Sequence, residues 1–93
     1  MKHGEVYMYQ NNDGYYRPHI ICGTVAIPIT SRYQKTVMSN IDLGRINGLT
    51  EEHNYAMLGN ALQTDKLKNI GVRVGQLTEI QIDFLGQKFQ ELL

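Results

Sequence analysis

Between Glu5 and Thr30, short apolar and β-branched segments alternate with turn formers, and that rhythm is what most narrows the folds open to the chain. Glu5 to Gln10 (EVYMYQ) alternates, which puts Val6 and Met8 on one face of a half-buried strand and Tyr7 and Tyr9 on the other. Asn11-Asn12-Asp13-Gly14 follows, a run of turn formers with an Asp-Gly pair, so the chain reverses there as in a hairpin. Tyr15 to Thr30 (YYRPHIICGTVAIPIT) reads as two apolar strands, HIIC and TVAIPIT, separated or bulged near Gly23. Both are apolar enough to be central. Pro18 and Pro28 cannot donate to a ladder, so each belongs at a strand start, an edge or a bulge.

The second half is less regular. Lys35 to Leu43 (KTVMSNIDL) is a weaker strand, ended by Gly44, and Asn47-Gly48 marks a turn. From Leu49 to Ile70 two readings are open. Thr50-Glu51-Glu52 looks like a helix start, and propensity permits one long helix. The other reading is a helical turn at Thr50 to Asn54, then strands near Ala56 to Leu62 and Lys66 to Ile70. Gly71 and Gly75 bracket VRV, read as a turn or a brief strand. Thr78 opens the clearest helix: Thr78 and Gln81 have the spacing of a capping box, Leu77 and Ile82 that of a hydrophobic staple. Ile80, Phe84, Leu85, Phe89 and Leu92 then form one apolar stripe, expected to pack on a sheet. The predicted architecture is a small sheet or barrel closed by a C-terminal helix, mainly β within the α+β class.

Length and composition bound the function. The chain has 93 residues, room for one domain spanning 1–93. Nine Lys+Arg balance nine Asp+Glu, which argues against a general nucleic-acid coat protein but leaves room for a local basic groove. Cys22 is the only cysteine, so neither an internal disulfide nor a cysteine-based zinc site can form. It reads as a small buried hydrophobe in a reducing compartment. The opening MKHGEVYMYQ lacks the apolar stretch of a signal peptide and no long apolar run occurs, so the expectation is a cytoplasmic protein away from membranes.

His3, His19 and His53 are too widely spaced for a helical metal pair, so no metal site is predicted. Gly71-Val72-Arg73-Val74-Gly75 is too short for a phosphate loop, and there is no GxSxG elbow. Polar groups at strand ends remain: Arg17 beside Pro18, Thr30-Ser31-Arg32 after an apolar strand, and Gln63-Thr64-Asp65-Lys66 between apolar segments. A guanidinium forks onto phosphate oxygens while hydroxyls satisfy the others, so the set points to a phosphate-facing site. Singly, each also reads as an edge salt bridge, a turn cap or a solvated face. Tyr7, Tyr9, Tyr15, Tyr16 and Tyr33 are either packing residues or platforms for unpaired bases.

Taken in order, GEVY at Gly4–Tyr7, RPHII at Arg17–Ile21, VAIPITS at Val25–Ser31, DKLKNI at Asp65–Ile70 and the closing Gly75–Leu93 segment resemble the MazF/PemK/Kid toxin family. The resemblance covers about half the chain and implies an SH3-like barrel with a C-terminal helix, favouring strands over residues 56–70. It also implies a sequence-selective endoribonuclease of a toxin-antitoxin system, with no cofactor. Such an enzyme cleaves single-stranded RNA through a 2′,3′-cyclic phosphate, acts as a homodimer, is silenced by a cognate antitoxin and binds DNA together with it. Carried over by motif, Arg17 stabilises phosphorane charge and is a candidate general acid, Thr30 and Ser31 bind the scissile phosphate, and Asp65 is a base or orienter. His19, Arg32, Gln63, Lys66 and Lys68 complete the expected RNA-binding set.

The chain departs from the family where QNNDGYY joins Tyr9 to Arg17 and where Cys22-Gly23-Thr24 replaces a longer loop. Lys66 stands where the family usually has Gln. The alternative reading is a non-enzymatic, gyrase-poison-like or inactive protein-binding member of the same superfamily. A further one is an unrelated small SH3-like module.

Overall fold

The computed structural model describes residues 2–10, 14, 16–32, 40–67 and 70–92. Seven antiparallel strands and one helix fill this span: β1 (Glu5–Gln10), β2 (Tyr16–Cys22), β3 (Val25–Thr30), β4 (Asn40–Asp42), β5 (Tyr55–Met57), β6 (Leu62–Gln63), β7 (Ile70–Gln76) and α1 (Glu79–Leu92). The strand order is β4-β5-β3-β2-β1-β7, with β6 pairing β3 off this path. Among the described residues the strand path stays open from β4 to β7, so the expected barrel does not close. One isolated bridge, Asn47 with Gln76, joins the stretch after β4 to the end of β7.

The meander β1-β2-β3 arises where the apolar alternation predicts it, with Val6 opposite Ile20 and Ile20 opposite Ile27. These side chains form the core with Ile29, Ile46, Leu77 and Leu85. Ile20 and Ile21 are consecutive and both buried, so β2 is covered on both faces. The prolines obey the donor rule. Pro18 is paired with Met8 but lies one residue before the β2–β3 ladder begins at His19 and Pro28. Pro28 lies between the parts of β3 that pair β6 and β5.

Three expectations change. Residues 49–54 form neither the long helix nor the helical turn; 55–66 alternate short strands with 3-10 turns at Leu58–Asn60 and Thr64–Lys66. Gly71-Val72-Arg73-Val74-Gly75 belongs to β7, a seven-residue strand. Its glycines mark close backbone approaches: a Cβ on Gly75 would sit 2.6 Å from the Asn47 carbonyl oxygen. The helix stripe also divides. Leu85, Ile82 and Phe89 pack on the core, whereas Ile80 and Phe84 are exposed, and the Lys88 ammonium lies 5.4 Å from the Phe84 ring centroid. The side chain of Leu92 and the early part of the Lys35–Leu43 segment lie outside the described residues.

The segment 43–54 is the part of the fold that builds the site. Leu43 N–H donates to the Asn54 carbonyl and Asn54 N–H to that of Gly44, closing the excursion at its neck. The buried Asn54 amide donates to the carbonyls of Gly44 (2.8 Å) and Glu51 (3.2 Å), fixing the interior of the loop. The predicted capping box forms: Thr78 N–H donates to Gln81 Oε1 and Gln81 N–H to Thr78 Oγ1. Gln81 Nε2 then reaches the carbonyls of Leu43 and Arg45, so one side chain ties the helix start to the loop. Gly48 permits the contact with β7. Its φ is +97° and a Cβ would meet the Val74 carbonyl oxygen at 2.0 Å.

Candidate functional site

The end of β3 opens on a cavity of about 580 Å³, in the size range of small-ligand sites. Met8, Pro18, Ile29 and Leu49 supply its apolar walls; Arg17, Thr30, Ser31, Arg32, Thr50, Glu51 and Asn54 supply its polar ones. β2 delivers Arg17 and Pro18, β3 delivers Ile29 and Thr30, and the 43–54 loop encloses them from the far side. Thr30 Oγ1 accepts from Arg32 N–H at 3.2 Å, so the threonine turns the chain just past the strand. Among the described residues, two guanidinium groups and one carboxylate line this space, an excess of one positive charge in a chain of zero net charge. That excess, set beside hydroxyls, suits a singly charged phosphodiester.

The structure therefore brings together Arg17, Thr30, Ser31 and Arg32, which the sequence singled out from two separated segments. It does not bring the others to them. β6 pairs Gln63 with Val25, and Thr64 donates from N–H and Oγ1 to the Thr24 carbonyl, which puts Gln63, Asp65 and the Lys66 backbone at the opposite end of β3. Five residue steps of about 3.3 Å, from Val25 to Thr30, separate the two ends by roughly 16 Å. Lys68 lies outside the described residues.

His19 is an interior residue and not a surface phosphate ligand. It is wholly buried, its ring set edge-on to Tyr9 with centroids 5.1 Å apart. Its Nδ1 lies 2.9 Å from the Arg17 carbonyl, so Nδ1–H donates and the imidazole holds the strand that carries Arg17. Among the described residues, Nε2 has no hydrogen-bond partner. Burial holds the pKa below the ordinary 6.5, which keeps the ring neutral at pH 7. Burial likewise pushes the half-buried Cys22 thiol up to about 11, leaving a poor nucleophile.

Sequence reasoning missed Leu49, Thr50, Glu51 and Asn54. Thr50-Glu51-Glu52 imitates a helix start, and the signal that corrects it, Asn47-Gly48 ahead of a polar run, marks only a turn. Glu51 is the one carboxylate on the cavity wall among the described residues. No group of three or more His, Cys, Asp or Glu side chains among the described residues is arranged to hold a metal ion. No helix among them is long and apolar enough to cross a membrane. In comparison with known proteins, no family model, no curated protein and no solved structure matches the chain.

Proposed function

We propose that the Arg17–Thr30–Ser31 cavity binds a phosphodiester of single-stranded RNA and that the protein is an endoribonuclease toxin of the MazF/PemK/Kid type. The observation that carries the reading is the convergence of Arg17 with Thr30-Ser31-Arg32 on one cavity wall. In the reaction, the ribose 2′-oxygen attacks phosphorus, the P–O5′ bond breaks, the departing 5′-oxygen takes a proton from solvent water, and a 2′,3′-cyclic phosphate and a 5′-hydroxyl result. Arg17 stabilises the charge that develops on the phosphorane, and the hydroxyls of Thr30 and Ser31 hold its oxygens. Glu51, which lines the cavity from the 43–54 loop opposite them, takes the 2′-hydroxyl proton, the part the resemblance gives to Asp65. Leu49 and Met8 supply apolar surface beside these groups.

The same reading supplies a homodimer, a cytoplasmic setting and an antitoxin that covers the RNA groove and binds DNA jointly with the toxin. Val72 on the β7 edge and Ile80 on α1 are apolar residues exposed for such contacts. The distance between Asp65 and the cavity favours one second reading, a protein-binding member of the superfamily that cuts nothing. Purified protein incubated with a long single-stranded RNA in chelator, beside Arg17→Ala, separates the two. Discrete cuts with cyclic phosphate ends, lost in the variant, support the nuclease. Intact RNA with folded protein supports the binding toxin.

A further inference from the structure

Thr30 does not stand alone on its face of the sheet. It is the cross-strand partner of Tyr55 on β5, and Tyr55 is the partner of Asp42 on β4, so the three side chains form one row. His53 lies against this row. Its ring stacks on Tyr55 with centroids 6.2 Å apart and planes inclined by 15°, within the range of offset aromatic stacking. Its Nδ1 lies 3.2 Å from Asp42 Oδ2; a carboxylate only accepts, so Nδ1–H donates. Asp42 Oδ1 in turn accepts from Gly44 N–H at 2.8 Å. The imidazole is thus oriented by an aromatic neighbour and by a carboxylate that is itself held, although 61% of its side chain remains exposed.

An exposed histidine pinned in this way contributes little to packing. Asp42 offsets any positive charge it carries, so it is a poor phosphate ligand. What it presents is a flat, oriented π face, and every nucleobase offers a matching one. Tyr55 is one inter-strand step, about 5 Å, from the threonine of the phosphate cavity. The His53 ring lies 6.2 Å from the Tyr55 ring, so His53 joins the row beside that threonine through Tyr55.

Resting on the RNA reading above, we infer that His53, braced by Tyr55 and Asp42, is a base-stacking subsite for the nucleotide adjoining the phosphate held at Thr30. Binding of a short, mixed-sequence 2′-O-methyl oligoribonucleotide, which cannot be cleaved, tests it by fluorescence anisotropy. His53→Ala is expected to weaken binding about tenfold, whereas His53→Phe, which keeps the ring and loses the Asp42 bond, stays within about threefold of wild type. Circular dichroism on each variant checks the fold. If His53→Ala binds like wild type while Arg17→Ala is weakened, or if His53→Phe is as weak as His53→Ala, the stacking subsite is overturned and the phosphate site stands. If the wild type does not bind the oligonucleotide, the RNA reading falls and the subsite with it.

Discussion

The two ends of β3 carry similar polar residues and have opposite surroundings. At the Thr30 end, Arg17, Ser31 and Arg32 face an apolar-walled cavity closed by the braced 43–54 loop. At the Val25 end, Gln63 and Asp65 ride on a two-residue strand and a 3-10 turn, with Gln63 and Asp65 exposed. Convergence and fixed geometry make a charge useful in catalysis; at the first end Arg17, Thr30, Ser31 and Arg32 line one cavity beside the Asn54-braced loop, with Ser31 and Arg32 still exposed. Residue type alone does not make a site; what gathers around it does.

The largest effect should come from removing the enclosure. Gly48→Ala meets both a positive φ and a carbonyl 2.0 Å away, so it should cost about 3 kcal/mol or more, read as a drop in the urea midpoint. The Val25 end has no such loop, and Gly23→Ala there meets no atom within 4 Å and bears only the strain of its φ of +60°, so its loss should be smaller. Next comes the chemistry of the proposed nuclease: on that proposal Arg17→Ala should lower RNA cleavage about a hundredfold, with Asp65→Asn remaining within about threefold. Equal losses would erase the distinction between the ends. Asn54→Ala leaves the loop's carbonyls without their buried donor and should cost about 2 kcal/mol, lowering cleavage through a displaced Glu51.

The smallest effect concerns the base of the site. His19 has a folded pKa below 6.5, so the unfolded chain takes up the proton first as pH falls. Stability should therefore decline as pH drops below about 6.5, and His19→Gln should flatten that slope. Glu5, whose carboxylate accepts from Lys2 N–H and Arg73, has a pKa lowered from 4.5, so its loss falls in a more acid window. Urea midpoints measured against pH distinguish the two.

The sequence revealed what is local. β1 to β3 follow from alternation and turn formers, and α1 begins at the predicted capping box. Arg17 and Thr30 were legible as polar residues at the ends of strands in that meander, and both line the one cavity. The 43–54 loop was not legible, because its shape depends on Asn54 and on Gln81, which is distant in sequence. β7 was hidden by Gly71 and Gly75, whose absent side chains serve backbone contacts that periodicity does not record. The burial of His19 was hidden because β2 is covered on both faces, so alternation no longer separates inside from outside.

The most direct test of the difference between the ends of β3 is amide chemical-shift mapping by NMR while single-stranded RNA is titrated into the Arg17→Ala and wild-type proteins. The account predicts that wild-type shifts concentrate at residues 17, 30–32 and 49–55, and that they fade in the variant. Shifts concentrated at residues 62–66, and insensitive to Arg17, would contradict it.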